Sequence, residues 1–423
     1  MRLGCDARVL VHRPAGVARY LAGSLGEWPA LKRAGDSLEL FVDRAPRGAC
    51  GEARDAATPS APSPRGACGE EPDGTATGFR AATSPRRAPA DEPNGECAES
   101  AFADGTLPGR PDRVRALGGR LPGGDPVWRQ VALAAHLARR RDLDLLFCPF
   151  YSIPLASRLP AVVTIHDVSF AAHPEWFSRR ARLAFALAGP SARKARRILV
   201  PSRFSADETI RVFGVPAGKI EVTPLGLEPR WLAPVTDDER RAARRWLGFE
   251  GPYVLHLGAV HVRRNVDALL RAFALLAARR PELRLVVAGP TIAPAPDLPA
   301  LSRESALGAR YVRREWAPEG ALRGLLAECA ALAYLSSYEG FGLPALEALA
   351  CGAPVVALRA ASLPEVLGDE AAWVETLEPN AVATTLEDVV RGRRRSPPGV
   401  VGERSLRRCA EATFAVLRSS YGS

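Results

Sequence analysis

Apolar runs of strand length alternate with amphipathic segments of helix length through two successive halves of this chain, which predicts an α/β protein with two doubly wound parallel sheets, each covered by helices on both faces. Between the halves, Glu228 to Pro252 carries prolines, acids and a short basic helix pattern, the composition of a linker. A third observation is the strand–loop–helix–strand block from Ala331 to Leu358, where glycines and prolines stand at the positions such connections require. Sheets of this kind hold ligands beyond the carboxyl ends of their strands, so two of them facing each other place a site in the cleft.

In the first half the strands are expected at Arg2 to Cys5, Leu38 to Val42, Leu145 to Cys148, Ala161 to Ile165, Ile198 to Val200 and Ile220 to Thr223. In the second they are expected at Tyr253 to Leu257, Leu283 to Ala288, Ala331 to Leu335, Pro354 to Leu358 and Ala372 to Val374. A last helical pattern runs from Arg404 to Leu417. The stretch from Ala45 to Thr106 interrupts the alternation. It has no Ile, Leu, Val, Met, Trp or Tyr, and it repeats Pro46-Arg47-Gly48-Ala49-Cys50-Gly51-Glu52 as Pro64-Arg65-Gly66-Ala67-Cys68-Gly69-Glu70. It buries too little apolar surface to offset its chain entropy, so a disordered low-complexity insertion without chemistry is expected.

Composition narrows the classes. With 423 residues, 47% hydrophobic and 25% charged, the chain can build two cores of a soluble globular protein. No uncharged apolar run approaches the roughly 20 residues of a membrane span, and Arg2 and Asp6 fall inside any secretion-signal core. Eight cysteines lie scattered without metal-ligand spacing. Cys5, Cys148, Cys329 and Cys351 fall in apolar segments, which suits reduced thiols in a cytoplasm. The net charge of +10 gathers between Arg179 and Arg197, where seven basic residues and no acid are interleaved with Leu183, Phe185 and Leu187. That segment reads as a solvated helix face, or as an attraction to anionic lipid at a membrane periphery, to an anionic acceptor or to nucleotide phosphates. No nucleic-acid module accompanies the charge.

The chemistry concentrates in Ser336 to Val356. Glu339 falls on a loop, Pro344 at the first helical position, and Glu347 in the first turn of the helix that Gly352 ends. The free amides of Gly340, Phe341, Gly342 and Leu343, with the positive end of the helix dipole, make a seat for an anion between the two glutamates. Carboxylates repel a phosphate but accept hydrogen bonds from hydroxyls on either side of a diphosphate. A sugar at one end and a ribose at the other describe a nucleotide-sugar donor.

The whole block resembles the signature of retaining glycosyltransferases of family 4, a Glu-x7-Glu motif with Gly-Phe-Gly-Leu-Pro inside it, and Glu339 and Glu347 fall on its two glutamates. The resemblance continues at Ser362-Leu363-Pro364-Glu365. Within the family the chain is similar to polysaccharide and O-antigen mannosyltransferases, whose opening Asp-Ala-Arg and Gly-x-Gly-Arg-Tyr segments read here as Asp6-Ala7-Arg8 and Gly16-Val17-Ala18-Arg19-Tyr20. The resemblance implies a GT-B fold with domains at 1–233 (holding the 45–106 insertion) and 234–400, and a helix at 401–423 returning to the first domain. It implies a retaining, metal-independent hexosyltransferase without a cofactor, moving a hexose, with mannose from GDP-mannose first in line, to a saccharide or lipid-linked acceptor. A UDP-glucose donor and a non-catalytic nucleotide-sugar-binding homologue are the alternatives. The location implied is the cytoplasm, at the inner face of the membrane if the basic segment binds lipid.

The resemblance also assigns roles. In Leu257-Gly258-Ala259-Val260-His261-Val262-Arg263-Arg264-Asn265, Gly258 clears space for the donor, and Arg264 stands where the family has a lysine that neutralises the leaving diphosphate. Which of Arg263 and Arg264 makes the contact is open, since Arg and Lys differ in shape. His166, in Thr164-Ile165-His166-Asp167, is implied to contact the sugar near the reacting carbon, and Gly16 to bring backbone close to the phosphates. The catalytic set expected is thus His166, Glu339 and Arg264, with Gly16, Gly258, Arg263, Gly340, Phe341, Gly342, Leu343 and Glu347 binding the donor. Asp142-Leu143-Asp144 has the form of a metal motif, but it lies at the amino end of its strand and reads as surface.

Overall fold

Thirteen strands among the described residues form two wholly parallel sheets, whose positions follow from where the chain buries its apolar runs. A computed structural model describes residues 1–12, 16–43, 110–117, 127–392, 401 and 404–421; the 45–106 insertion lies outside them. The first sheet has the order β3-β2-β1-β4-β5-β6-β7. Its strands are β1 (Arg2–Asp6), β2 (Ser37–Val42), β3 (Arg113–Ala116), β4 (Leu145–Cys148), β5 (Ala161–Thr164), β6 (Arg197–Val200) and β7 (Ile220–Val222). The second sheet has the order β10-β9-β8-β11-β12-β13. It is built from β8 (Tyr253–Leu257), β9 (Arg284–Ala288), β10 (Tyr311–Arg314), β11 (Ala331–Tyr334), β12 (Val355–Leu358) and β13 (Ala371–Val374).

Each sheet starts in its middle and winds outward both ways, so its order reverses between β1 and β4 and between β8 and β11. Cys5 pairs with Phe147 at the first switch point and Leu255 with Leu332 at the second. Chain leaving the two sides of a switch point diverges and opens a crevice at the carboxyl edge. β4, β5, β11 and β12 are buried throughout, as continuous apolar runs in a two-faced parallel sheet should be.

Two strands escaped the sequence reading. β3 is exposed along its whole length and β10 carries Arg313 and Arg314. Both are edge strands, so neither needs the uninterrupted apolar run that marks a central one. β3 is held partly by charge: Glu39 of β2, nearly buried, accepts from both Arg115 and Arg140.

The helices that matter to the site are α1 (Gly16–Gly26), α2 (Arg203–Phe213), α3 (Asp237–Leu247), α4 (Val266–Arg279), α5 (Glu319–Glu328), α6 (Leu343–Ala350), α7 (Leu363–Leu367), α8 (Pro379–Gly392) and α9 (Leu406–Tyr421). α3 comes from the expected linker, yet it is docked. Thr236 and Glu239 close a capping box at its start, and Glu239 pairs with Arg323 of α5 at 2.8 Å. α9 begins at Leu406 and runs past Leu417 to Tyr421, and it packs on the first half as expected. Phe414 lies 5.1 Å from the Trp28 ring, and Arg418 donates to the Leu31 carbonyl (2.6 Å) and to Asp36 (3.1 Å).

The basic segment does not form one solvated face. It breaks into two short helices, Arg179–Ala184 and Ala188–Lys194, before β6. Arg179, Arg180 and Arg182 are exposed, whereas Arg193 donates to the Phe213 carbonyl and Lys194 to the Leu155 and Ser157 carbonyls. No helix among the described residues is long and apolar enough to cross a membrane.

Candidate active site

The carboxyl ends of β5, β8 and β11 converge on one small region. β8 ends at Leu257, and Gly258 follows with φ +130°, a backbone angle that only glycine adopts readily. A Cβ there would fall 2.6 Å from Nη1 of Arg264, so the glycine also makes room for that guanidinium. The chain then turns through Val262–Arg264 to Asn265, whose φ is +51°. His261 holds this turn: its Nδ1 accepts from the Arg263 amide (3.4 Å) and its Nε2 donates to the Trp176 carbonyl of the first half (3.0 Å). Asn265 Nδ2 donates to the Leu335 carbonyl and to Ser337 Oγ, both at 2.7 Å, tying the turn to the loop after β11.

On that loop Glu339 is 7% exposed. Its Oε1 accepts from Ser336 Oγ (2.8 Å) and lies 3.1 Å from Arg264 Nη2. Burial alone would push the Glu339 carboxyl upward, but the charges of Arg264 and Arg263 outweigh it and hold the group below the ordinary glutamate value. The two arginines are not equivalent. Arg263 Nη1 reaches Ser169 Oγ (3.3 Å) and Asp167 (3.5 Å) in the first half. Arg264 Nη2 is paired with Glu339 and its guanidinium lies 5.3 Å from the Tyr334 ring centroid, while its Nη1 is buried without a hydrogen-bond partner among the described residues.

α6 begins after Gly342, which sits at φ +100° and provides no side-chain cap, so the helix presents an uncapped amino end beside Glu339. Pro344 is its second residue and Glu347 its fifth. Glu347 therefore opens the second turn, one residue further along the helix than the sequence reading placed it. The left-handed glycine takes the cap position and starts the helix at Leu343. Glu347 is 5% exposed, and burial raises its carboxyl above the ordinary value, offset only in part by the charge of Arg19. Arg19, on α1 of the first half, donates to Glu347 Oε1 and also approaches Glu228 at 3.5 Å. Leu343 and Glu347 line a small recess with Arg19, Tyr20 and Trp231. Phe341 is a core residue, 4% exposed, with the Arg404 guanidinium 5.7 Å from its ring.

His166 follows β5 in the first half. Its Nε2 donates to the Pro149 carbonyl (3.0 Å), and the Tyr20 ring meets it edge-on at 5.4 Å. Burial lowers its pKa, so the ring is neutral and Nδ1 carries the lone pair. The backbones of His166 and Gly340 meet: a Cβ at Gly340 would fall 1.8 Å from the His166 carbonyl oxygen. Gly340 is thus fixed by close approach between the two halves rather than by an unusual φ.

The structure brings His166, Gly258, Arg263, Arg264, Glu339, Gly340 and Gly342 together, with Leu343 at the start of α6 and Glu347 in its second turn. Gly16 is exposed at the first residue of α1 with open space where a Cβ would sit, and nothing in the described residues ties it to this cluster. Arg19 and Asp167 were not singled out from sequence. Both stand inside quoted motifs, but their partners lie in the other half of the chain. Asp142 and Asp144 sit at the opposite edge of the first sheet, paired with Arg140 and Arg2.

Two family models match the chain, Glycosyltransferase Family 4 over residues 85–231 and Glycosyl transferases group 1 over residues 251–391. The chain belongs to glycosyltransferase family 4. Curated relatives of this family-4 chain include O-antigen chain mannosyltransferase B of Escherichia coli, 36% identical over 219 residues that make up 49% of this chain and 55% of that protein. Another is the MMP alpha-(1->4)-mannosyltransferase of Mycolicibacterium hassiacum, 30% identical over 269 residues, 60% of this chain and 61% of that one. The chain spans about half the length of the first curated relatives it matches. Among solved structures, HepE of Anabaena in complex with UDP and glucose superposes with a TM-score of 0.65 at 18% identity, covering 99% of both chains. The sucrose-phosphate synthase of Thermosynechococcus elongatus gives 0.64 at 18% identity over 99% of this chain and 98% of that one. These likenesses establish the GT-B fold for the family-4 chain, two Rossmann-like halves facing across a cleft.

Proposed function

We propose that this chain transfers a hexose from a nucleotide-diphosphate sugar to a saccharide or lipid-linked acceptor, with retention of anomeric configuration. The observation that carries this reading is Arg264, whose buried Nη1 has no hydrogen-bond partner among the described residues while Nη2 rests on Glu339. A buried guanidinium nitrogen left unpaired is costly, and a diphosphate oxygen would pair it. In this reading the diphosphate lies between Arg264 and the uncapped end of α6, Glu339 accepts from the sugar hydroxyls, and Glu347 from the ribose. His166 holds the sugar from the opposite half. Arg263, engaged by Asp167 and Ser169, shares the charge but not the direct contact.

Retention follows from same-face attack. The acceptor hydroxyl forms a bond to the anomeric carbon as the bond to the diphosphate oxygen breaks, and that oxygen takes the acceptor's proton. Arg264 and the helix-end amides stabilise the departing charge, the task that a divalent ion performs in other transferases. The chain's Asp-x-Asp is committed to Arg2 and Arg140 far from the cleft.

Mannose is the sugar favoured by the relatives named as mannosyltransferases, and GDP-mannose the donor favoured by one named as GDP-mannose-dependent. A UDP-glucose donor is the second reading, favoured by the HepE complex with UDP and glucose. A thermal-shift screen of GDP, UDP, GDP-mannose and UDP-glucose, followed by donor hydrolysis in excess EDTA and NMR of the fresh product, tests all of this. Failure of every nucleotide to bind rejects the donor site; rescue by Mn²⁺ or an inverted linkage rejects the mechanism. Exposed Arg179, Arg180 and Arg182 beside Leu183, which is 74% exposed, would carry a peripheral contact with anionic lipid at a cytoplasmic membrane face. Co-sedimentation with phosphatidylglycerol vesicles, lost on charge reversal of the three arginines, tests that contact.

A further inference from the structure

The two successive carbonyls of Glu339 and Gly340 are gripped from the two halves of the molecule, one from each. Within the second half, Ser362 Oγ donates to the Glu339 carbonyl at 2.8 Å. From the first half, Ser202 Oγ donates to the Gly340 carbonyl at 2.7 Å, and Ser205 Oγ lies 3.1 Å from the same oxygen and 3.4 Å from the His166 carbonyl. All three serines are at most 1% exposed. The Ser205 hydroxyl therefore stands between the backbone that carries His166 and the backbone that carries Glu339.

Both first-half serines sit at the start of α2. Ser202 is the cap residue and also accepts from the Ser205 amide at 3.0 Å. The same helix end is fastened to the second half by Glu365 of α7, whose carboxylate accepts from the Arg203 amide through both oxygens at 3.0 Å and from the Phe204 amide at 3.3 Å. The start of α2 thus donates amides to one segment of the second half and hydroxyls to another. These bonds exist only while the two halves are in contact.

We propose that Ser202 and Ser205 are positioning residues for sugar transfer: their hydroxyls hold the Gly340 carbonyl, and with it the loop that carries Glu339, against His166 when the halves close. This rests on the transferase reading above and assigns to α2 a part in it. The serines touch neither donor nor acceptor. They fix the separation between a sugar-holding group on each side of the cleft, so they act on turnover. The nucleotide contacts, Arg264, the α6 amides and Glu347, all lie in the second half, so its affinity should not depend on them.

The test compares Ser202→Ala, Ser205→Ala and Ser202→Thr in the full chain, reading kcat and KM for hydrolysis of GDP-mannose and UDP-glucose and the calorimetric Kd of GDP and UDP. Ser205→Ala keeps the helix cap and is the variant that most securely folds. Misplacement of reacting groups by a fraction of an ångström should lower kcat about tenfold in Ser202→Ala and severalfold in Ser205→Ala, with nucleotide Kd within about twofold of the parent. Ser202→Thr, which keeps the hydroxyl, should recover most of the loss. The proposal is overturned if kcat is unchanged in both alanine variants, if Kd weakens in step with kcat, or if threonine restores nothing. A parent chain that binds and turns over none of these nucleotides would instead overturn the transferase reading itself, so the two failures are separable.

Discussion

Arg264 and Arg263 are adjacent arginines with different duties. Arg264→Ala should lower kcat/KM by roughly 10²-fold or more, the scale of a lost charge-stabilising donor, and Arg264→Lys should restore much of it. Arg263→Ala should cost less, because Asp167 and Ser169 already occupy that guanidinium; steady-state kinetics of the three variants checks the order. The glutamates divide differently. Glu347→Ala should weaken nucleoside diphosphate binding by about 1–3 kcal/mol, the cost of unmade buried hydrogen bonds, while Glu339→Ala should mainly reduce turnover. Equal losses of nucleotide affinity in the two variants would contradict that division. Glu347 also predicts a pH dependence. Its carboxyl is raised by burial, so the acceptor it offers is fully present well above the ordinary glutamate value near about 4.3 and is lost as pH falls through the raised one. The affinity gap between parent and Glu347→Gln, followed by calorimetry, should therefore narrow on going down from neutral pH before ordinary carboxylates protonate. Arg19 gives the opposite sign from a binding residue. It occupies Glu347 in the free protein, so Arg19→Ala leaves a buried carboxylate unpaired until a ribose arrives. Nucleotide binding should tighten, and an unchanged or weaker Kd would show that Arg19 does not compete.

At the scale of elements, the contact between α3 and α5 depends on one missing side chain. A Cβ at Gly324 would fall 2.2 Å from the Glu239 carbonyl oxygen and 3.0 Å from Ala243. Gly324→Ala should push the helices apart at a cost of about 1–3 kcal/mol, lowering Tm without changing nucleotide Kd. That helix pair shows what the sequence conceals. The central strands were readable because an interior parallel strand must be apolar on both faces, and β4, β5, β11 and β12 are. β3 and β10 escaped because an edge needs no such run, and their arginines look like loop. The loop from Glu339 to Leu343 was readable because Gly342 and Pro344 mark a helix start locally, although the left-handed cap set that start one residue earlier, so that Glu347 is the fifth helical residue and not the fourth. Bonds such as Arg19 to Glu347, 328 residues apart, or Ser202 to Gly340, 138 residues apart, leave no local pattern at either end. They come from the meeting of two sheets, and only the assembled chain reveals them.

For the whole molecule, the return of α9 decides which parts of the chain must coexist before the first half is complete. Leu227 and Ser405 form a parallel bridge where the chain crosses between halves, with the Leu227 amide donating to the Arg404 carbonyl (2.8 Å) and the Leu406 amide to the Leu227 carbonyl (3.0 Å). Beyond it Phe414 and Leu417 complete a core with Leu21, Leu25 and Trp28. A chain ended at Arg404 should bare that surface, and we expect it to lose reversible thermal unfolding and to bind hydrophobic dye at temperatures where the full chain does not. The same geometry has a consequence for synthesis. The residues that need α9 emerge from the ribosome long before the helix that covers them. At about 5–20 residues per second, Trp28 then waits on the order of tens of seconds for Phe414. During that interval this part of the nascent chain presents an uncovered apolar stripe, a natural station for a holding chaperone, and the first half closes only after the second has been made.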